Sequence, residues 1–397
     1  MPSPKKNLGI PEKNKVIISL DGGGMRGILT LQLLKKLEEV AGAPCHQWCD
    51  LVAGTSTGGI IAGLILKRKS AKEIEDLYMQ LVSQVFTNRN FLSDRFLNPP
   101  KFDKENYRTL LNQVIGDVTL AQACADQRAI DLLITSKDMA AGEETFFTCF
   151  RKGATFIGTY KDVLLRAVME ATMSAPTYFV PFERFIDGGT TTFNNPAGAA
   201  VLEALCYSGK ETYKANALTV FSFGTGTSLR FIKPEDTRDP KGLDLKFWLN
   251  YVMDETGKDA SDMQMDMLRS SLMPGLDFRR YQISLDETSL SKIPNKDIST
   301  IYHTQANRLR ELSNHELSSI DMADVSKFSL MQVIGQAMAE YVCPIDKNGK
   351  PTAGNWFKED LVFPGSTRDQ LVTAFGATKE IAKNLSSKAW LNKQPTD

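Results

Sequence analysis

The feature that most constrains this chain is a short β-branched run that breaks on glycines and resumes as a helix. Val16-Ile17-Ile18-Ser19-Leu20 has the length and branching of a buried strand, and it runs into Asp21-Gly22-Gly23-Gly24-Met25-Arg26-Gly27. Beyond the glycines, Ile28, Leu31, Leu34 and Leu37 recur at helical spacing among Lys35, Lys36, Glu38 and Glu39. Gly42 and Pro44 end that pattern. The unit then repeats. Leu51–Thr55 reads as a strand entering Ser56, and a second helix starts at Thr57 and reaches about Lys67.

Further strands are predicted at Ile130–Thr135, Phe146–Phe150, Arg184–Asp187 and Leu218–Phe223, with helices at Val163–Met173 and Pro196–Cys206. Strands that alternate with helices predict an α/β fold with a mainly parallel sheet covered on both faces. After Gly226 the pattern changes. Phe247–Met273, Ile301–Leu312 and Leu330–Tyr341 read as helices, with a short strand at Tyr281–Leu285 and a last helix after Arg368. The expected organisation is a polar, poorly ordered leader over 1–14, an α/β domain over 15–228, and a mostly helical region over 229–397 packed on it.

Composition narrows the class. The chain has 397 residues, 42% hydrophobic and 24% charged, with 47 basic against 47 acidic side chains. These are globular values, and the charge balance argues against a nucleic-acid partner with a large basic surface. The longest uncharged run, Leu51–Leu66, is shorter than the roughly 20 apolar residues of a membrane span. The N-terminus has no apolar segment of signal-peptide length. Cys45, Cys49, Cys124, Cys149, Cys206 and Cys343 are sparse and lie mostly in apolar stretches, as expected of buried thiols in a reduced, cytoplasmic chain. Cys45 and Cys49 flank His46, but no second ligand pair has zinc spacing, and no metal is expected.

Three motifs can carry chemistry. Gly54-Thr55-Ser56-Thr57-Gly58 is G-x-S-x-G at a strand-to-helix junction. A nucleophilic serine needs such a sharp turn to project its Oγ, and the flanking glycines let the backbone pack through it. The alternative is a structural glycine turn. Gly22, Gly24 and Gly27 satisfy G-x-G-x-x-G, but the acidic residue of a dinucleotide site is missing at positions 41–44. Consecutive glycine amides also form an anion nest suited to the oxyanion of acyl transfer. Arg26 would either bind an anion there or form a structural salt bridge. Asp187-Gly188-Gly189 ends another strand and reads as a capped turn or as the base for Ser56. The only histidines are His46, His303 and His315. None falls at a sheet-edge turn, so a Ser–Asp dyad is the more economical pairing.

Taken together, these motifs resemble the patatin-like phospholipase family. The resemblance extends to Met173-Ser174-Ala175-Pro176-Thr177-Tyr178-Phe179, Asn194-Asn195-Pro196 and Phe223-Gly224-Thr225-Gly226, and covers about 15–228. It implies a three-layer α/β/α lipid acyl hydrolase with Ser56 as nucleophile and Asp187 as base. Gly22, Gly23, Gly24 and Arg26 match the family's oxyanion motif, and Gly27, Gly54, Gly58, Gly188 and Gly189 complete its turns. The implied partner is a phospholipid or related glycerolipid, met by a cytoplasmic protein at the membrane surface. No cofactor is implied. A non-catalytic lipid- or nucleotide-sensing module is the rival reading.

Two weaker features bear on substrate. Phe86, Phe91, Phe96, Phe102 and Tyr107 would form an apolar flap or part of the core. Met253, Met263, Met265, Met267 and Met273 would form an adaptable lid or core packing.

Overall fold

The computed structural model describes residues 3–86, 102–125, 128–208, 212–227, 245–293, 317 and 320–363, with side chains of the 245–269 helix described from 257 onward. Among the described residues nine strands form one sheet: β1 Lys15–Leu20, β2 Leu51–Thr55, β3 Asp131–Asp138, β4 Glu143–Lys152, β5 Thr155–Ile157, β6 Phe185–Asp187, β7 Leu218–Phe223, β8 Asp277–Ile283 and β9 Leu361–Phe363. Their order is β5-β4-β3-β2-β1-β7-β8-β9, with β6 paired to β3. The helices are α1 Pro4–Asn7, α2 Gly27–Ala41, α3 Thr57–Leu66, α4 Ala71–Val85, α5 Glu105–Val114, α6 Leu120–Ala125, α7 Leu165–Thr172, α8 Ala197–Cys206, α9 Leu245–Arg269, α10 Glu287–Ser291 and α11 Phe328–Val342.

Alternation along the central strands produces two cores. Val16, Ile18, Leu20, Val52, Leu132, Ile134, Phe221 and Phe223 face one core, packed with residues of α2, α3, α4, α7 and α11. Ile17, Leu51, Ala53, Leu133, Leu218 and Val220 point the other way, against α8 and Leu268 of α9. A strand whose successive residues enter opposite cores must be apolar throughout. This is why β1, β2 and β7 were legible as continuous runs and why the fold is the expected three-layer α/β/α.

The sheet is parallel from β3 through β2, β1, β7 and β8 to β9. It turns antiparallel at β3–β4, β4–β5 and β3–β6. Only residues 139–142 link β3 to β4, too few for a parallel crossover.

Two sequence expectations need correction. Residues 3–14 are not a loose leader. Leu8 and Ile10 are buried, the Leu8 carbonyl accepts from Arg279 Nη1 at 2.8 Å, and Asn7 Nδ2 donates to Ala41 O at 3.0 Å. Nor does the sheet stop near 228. β8 continues it parallel to β7, and β9 follows. α9 and α11 match two predicted helices, while the predictions at 301–312 and after 368 lie outside the described residues.

Candidate active site

β2 ends at Thr55 and α3 begins at Thr57, so Ser56 alone turns the chain. Its φ of 54° and ψ of −124° are sparsely populated for a residue with a Cβ. The turn folds α3 directly back on the sheet. A Cβ on Gly54 would lie 2.3 Å from Gly58 O, and one on Gly58 would lie 2.2 Å from Leu20 O. Both obstructing atoms are backbone, so close approach requires these glycines. Gly59 and Gly63 do the same against α7, where added Cβ atoms would meet Thr172 Cγ2 at 2.8 Å and Met169 Sδ at 2.7 Å.

Ser56 Oγ donates to Asp187 Oδ2 at 2.6 Å. Asp187 closes β6, where it stands opposite Ser136 of β3. Gly188 follows because a Cβ there would lie 2.2 Å from Thr135 Oγ1. The Gly189 N–H donates to Asp187 Oδ1 at 2.7 Å, so each carboxylate oxygen has a donor. Ser56 is 6% exposed and Asp187 4%. Burial dominates and pushes the Asp187 carboxyl up to about 6, against the opposing pull of the Ser56 and Gly189 hydrogen bonds.

The segment before β6 completes this wall. The Ser56 N–H donates to Thr172 Oγ1 at 2.8 Å, and that hydroxyl donates to Thr135 O at 2.7 Å. Met173 Sδ stands 4.0 Å from Ser56 Oγ. The Asp187 N–H donates to Ser174 O at 3.1 Å. Lys104, buried behind it, donates from Nζ to Ser174 Oγ at 2.7 Å and lies 3.4 Å from Glu170 Oε1. Burial lowers the Lys104 ammonium to about 8.

The glycine loop forms the opposite wall. A Cβ on Gly22 would stand 3.1 Å from Ser56 Cβ and 2.4 Å from Asn194 Oδ1. The Gly22 N–H donates to Asn194 O at 3.1 Å, and its carbonyl accepts from Thr225 Oγ1 at 2.8 Å. Its amide is therefore occupied. Among the described residues none accepts from the Gly23 or Gly24 N–H. Gly24 has φ 55° and lies beneath Met322, whose carbonyl would be 2.3 Å from an added Cβ and accepts from the Met25 N–H at 2.7 Å. Tyr78 Oη donates to Gly24 O. Arg26 is half-buried, with Nε 3.5 Å from Gly23 O. Gly27 opens α2, where a Cβ would lie 2.8 Å from Tyr78 Oη.

Sequence reasoning missed Arg280. This residue of β8 is 1% exposed and forks onto Asp21, with Nη1–Oδ1 at 2.8 Å and Nη2–Oδ2 at 2.5 Å. Burial raises the Asp21 carboxyl pKa, with Arg280 opposing. The available signal was two adjacent arginines, Arg279 and Arg280, in a strand-like run. Buried cations need buried partners.

His46 lies in the turn Cys45–Gln47 before β2, at the sheet edge opposite Ser56. Burial lowers its pKa. His303 and His315 lie outside the described residues. Phe86, Phe102 and Tyr107 are buried, and Phe86 and Phe102 pack around Phe179 at ring separations of 6.2 and 5.9 Å. They belong to the core, while Phe91 and Phe96 are outside the described residues. Met263 is 69% exposed and Met265 is 9%, so these two do not share one surface, and the side chain of Met253 lies outside the described residues. Among the described residues no group of His, Cys, Asp or Glu could hold a metal ion, and no helix is long and apolar enough to cross a membrane.

Residues 18–201 match the patatin-like phospholipase family, a span that contains all three glycine turns. The match covers a little under half of the chain. Calcium-independent phospholipase A2-gamma of Rattus norvegicus is 29% identical over 203 residues, 48% of this chain and 26% of that protein. Patatin-17 of Solanum cardiophyllum is 25% identical over 309 residues, 69% of this chain and 76% of that one. The cGAMP-activated phospholipase of Escherichia coli is 29% identical over 251 residues, 59% and 67% of the two chains. The chain thus spans about a quarter of the length of that rat phospholipase A2-gamma.

Proposed function

We propose that this protein is a lipid acyl hydrolase that cleaves carboxylic esters of phospholipids or related glycerolipids at a membrane surface. The observation that carries the reading is the 2.6 Å hydrogen bond from Ser56 Oγ to Asp187 Oδ2 on a strained strand-to-helix turn. Asp187 takes the hydroxyl proton as Oγ attacks the ester carbonyl. The carbonyl oxygen becomes an oxyanion beside the Gly23 and Gly24 N–H groups, and the N-terminus of α3 favours the same charge. Collapse breaks the ester C–O bond, and the proton on Asp187 passes to the departing alcohol. Water then attacks the acyl-Ser56 ester and gives a proton to Asp187; the acyl C–Oγ bond breaks, that proton returns to Ser56 Oγ, and the carboxylic acid is released. A binding-only module would have no use for a proton acceptor held at this distance.

The test incubates mixed phospholipid–galactolipid vesicles with the wild type, Ser56→Ala and Asp187→Asn, and quantifies fatty acid and lyso-lipid by mass spectrometry. Both variants should fall by several orders of magnitude with the fold intact. A fluorophosphonate should label the wild type once, at Ser56. Undiminished hydrolysis by Ser56→Ala would overturn the reading.

A further inference from the structure

We propose that Arg280 is a positioning residue for ester cleavage, acting through Asp21 to aim the Gly23 and Gly24 N–H groups at the oxyanion. The inference rests on the hydrolase reading above. Asp21 is the stalk on which the glycine loop leaves β1. Its N–H is fixed to Phe223 O at 3.0 Å, and its carboxylate is fixed by both terminal nitrogens of Arg280. A two-point fork sets the orientation of the carboxylate as well as its position. Arg280 Nη1 also donates to Ser222 Oγ at 2.8 Å, which ties the fork to β7.

The same strand holds the other side of the loop. Gln282 lies two residues on, hence on the same face of β8. Its Oε1 accepts from the Gly226 N–H at 2.9 Å, and a Cβ on Gly224 would lie 2.3 Å from its amide. Between those glycines Thr225 presses on the loop: a Cβ on Gly23 would lie 2.3 Å from Thr225 Oγ1. Arg280 and Gln282 therefore fix the stalk of the loop and the turn packed against it. Both lie beyond residue 201, where the family match ends.

Arg279 supplies the control. It is also buried, pairs with Asp277 at 2.6 Å, and donates from Nη1 to Leu8 O and Phe357 O at 2.8 and 2.6 Å. It points to the other face of β8, and none of these contacts is with the glycine loop. Losing either arginine removes a buried ion pair, but only one of them aims an amide.

The experiment measures kcat, KM and melting temperature on a soluble p-nitrophenyl ester for wild type, Arg280→Lys, Arg280→Met, Asp21→Asn, Arg279→Lys and Ser56→Ala. Displacing a catalytic group by about 1 Å costs about 100-fold in rate. Arg280→Met and Asp21→Asn should lose about that in kcat, with KM within about threefold. Arg280→Lys keeps the charge but not the fork, and should lose about tenfold. Arg279→Lys should melt about as low as Arg280→Lys yet keep kcat within about threefold. If Arg280→Met fails to fold, the comparison of Arg280→Lys with Arg279→Lys decides. Equal kcat in those two at equal melting temperature overturns the inference, and does so while Ser56→Ala remains inactive. Activity surviving in Ser56→Ala overturns instead the hydrolase reading.

Discussion

Ser56 Oγ and Asp187 Oδ2 stand 2.6 Å apart although 131 residues separate them along the chain. The carboxylate has two hydrogen-bond donors, Ser56 and Gly189, and burial outweighs both, lifting it from the ordinary 3.8 to about 6. A base works in its ionised form. The kcat/KM should therefore rise about tenfold per pH unit below about 6 and level above it, provided catalysis runs through this group. That limb coincides with the range of a free imidazole, so a pH profile alone does not separate this dyad from a histidine mechanism. Asp187→Asn should remove the limb and leave background hydrolysis.

The same burial has a consequence for stability. Between about pH 4 and 6 the folded chain holds a proton on Asp187 that the unfolded chain has released. Stability contributed by a raised carboxyl is present below the unfolded pKa and lost as pH rises through the folded one. A shift of about two units corresponds to about 3 kcal/mol. Asp187→Asn should therefore be more stable than wild type at pH 7, with the gap closing below about pH 4. Urea unfolding at pH 4, 5 and 7 reads this directly, and equal stability at pH 7 would contradict the burial account.

His46 sits in the turn before β2 and Ser56 directly after its end. Five strand residues at about 3.3 Å each place them about 17 Å or more apart, beyond proton transfer. His46→Asn should retain activity within about tenfold, a barrier change near 1.4 kcal/mol. The same is expected of His303→Asn and His315→Asn. Any one of the three as inactive as Ser56→Ala, with unchanged circular dichroism, would overturn the dyad.

Gly58 and Gly257 both lie in helices, and replacement by alanine should act in opposite directions. A Cβ on Gly58 meets the Leu20 carbonyl at 2.2 Å, whereas nothing lies within 4 Å of one on Gly257. Gly58→Ala must push α3 off β1 and should cost about 3 kcal/mol or more, with loss of activity. Gly257→Ala gains helix propensity and should add up to about 1 kcal/mol. Chemical denaturation of the two variants side by side checks the contrast.

The β2–Ser56–α3 junction was legible to the residue because its constraints are local: an apolar strand, glycines on either side of the serine, and a small-residue helix face. What escaped the sequence was carried by distant partners. Arg279 and Arg280 disguised the start of β8, since a buried arginine is intelligible only once Asp277 and Asp21 stand beside it. Residues 1–14 read as a polar leader, yet Leu8 and Ile10 are buried and β8 reaches that segment through Arg279. The pairing of Ser56 with Asp187 was readable from residue types, whereas the occupied amides of Gly22 and Ser56 were not, because each depends on a carbonyl or hydroxyl more than 100 residues away.

Two variants that lack Oγ measure the strain at Ser56. Ser56→Ala and Ser56→Gly both lack Oγ, so neither keeps the bond to Asp187. They differ in the Cβ that is held at φ 54° and ψ −124°. Such a conformation costs a residue with a Cβ about 1–3 kcal/mol, which glycine avoids. Against this, glycine adds about 0.4–1 kcal/mol of unfolded-state entropy for folding to overcome. The strain term is the larger, so Ser56→Gly should be more stable than Ser56→Ala by about 1 kcal/mol. The comparison is best made by urea unfolding at pH 7 with both variants shown to be equally inactive. If Ser56→Gly is the less stable of the two, the turn is relaxed in solution and the serine is not held under strain.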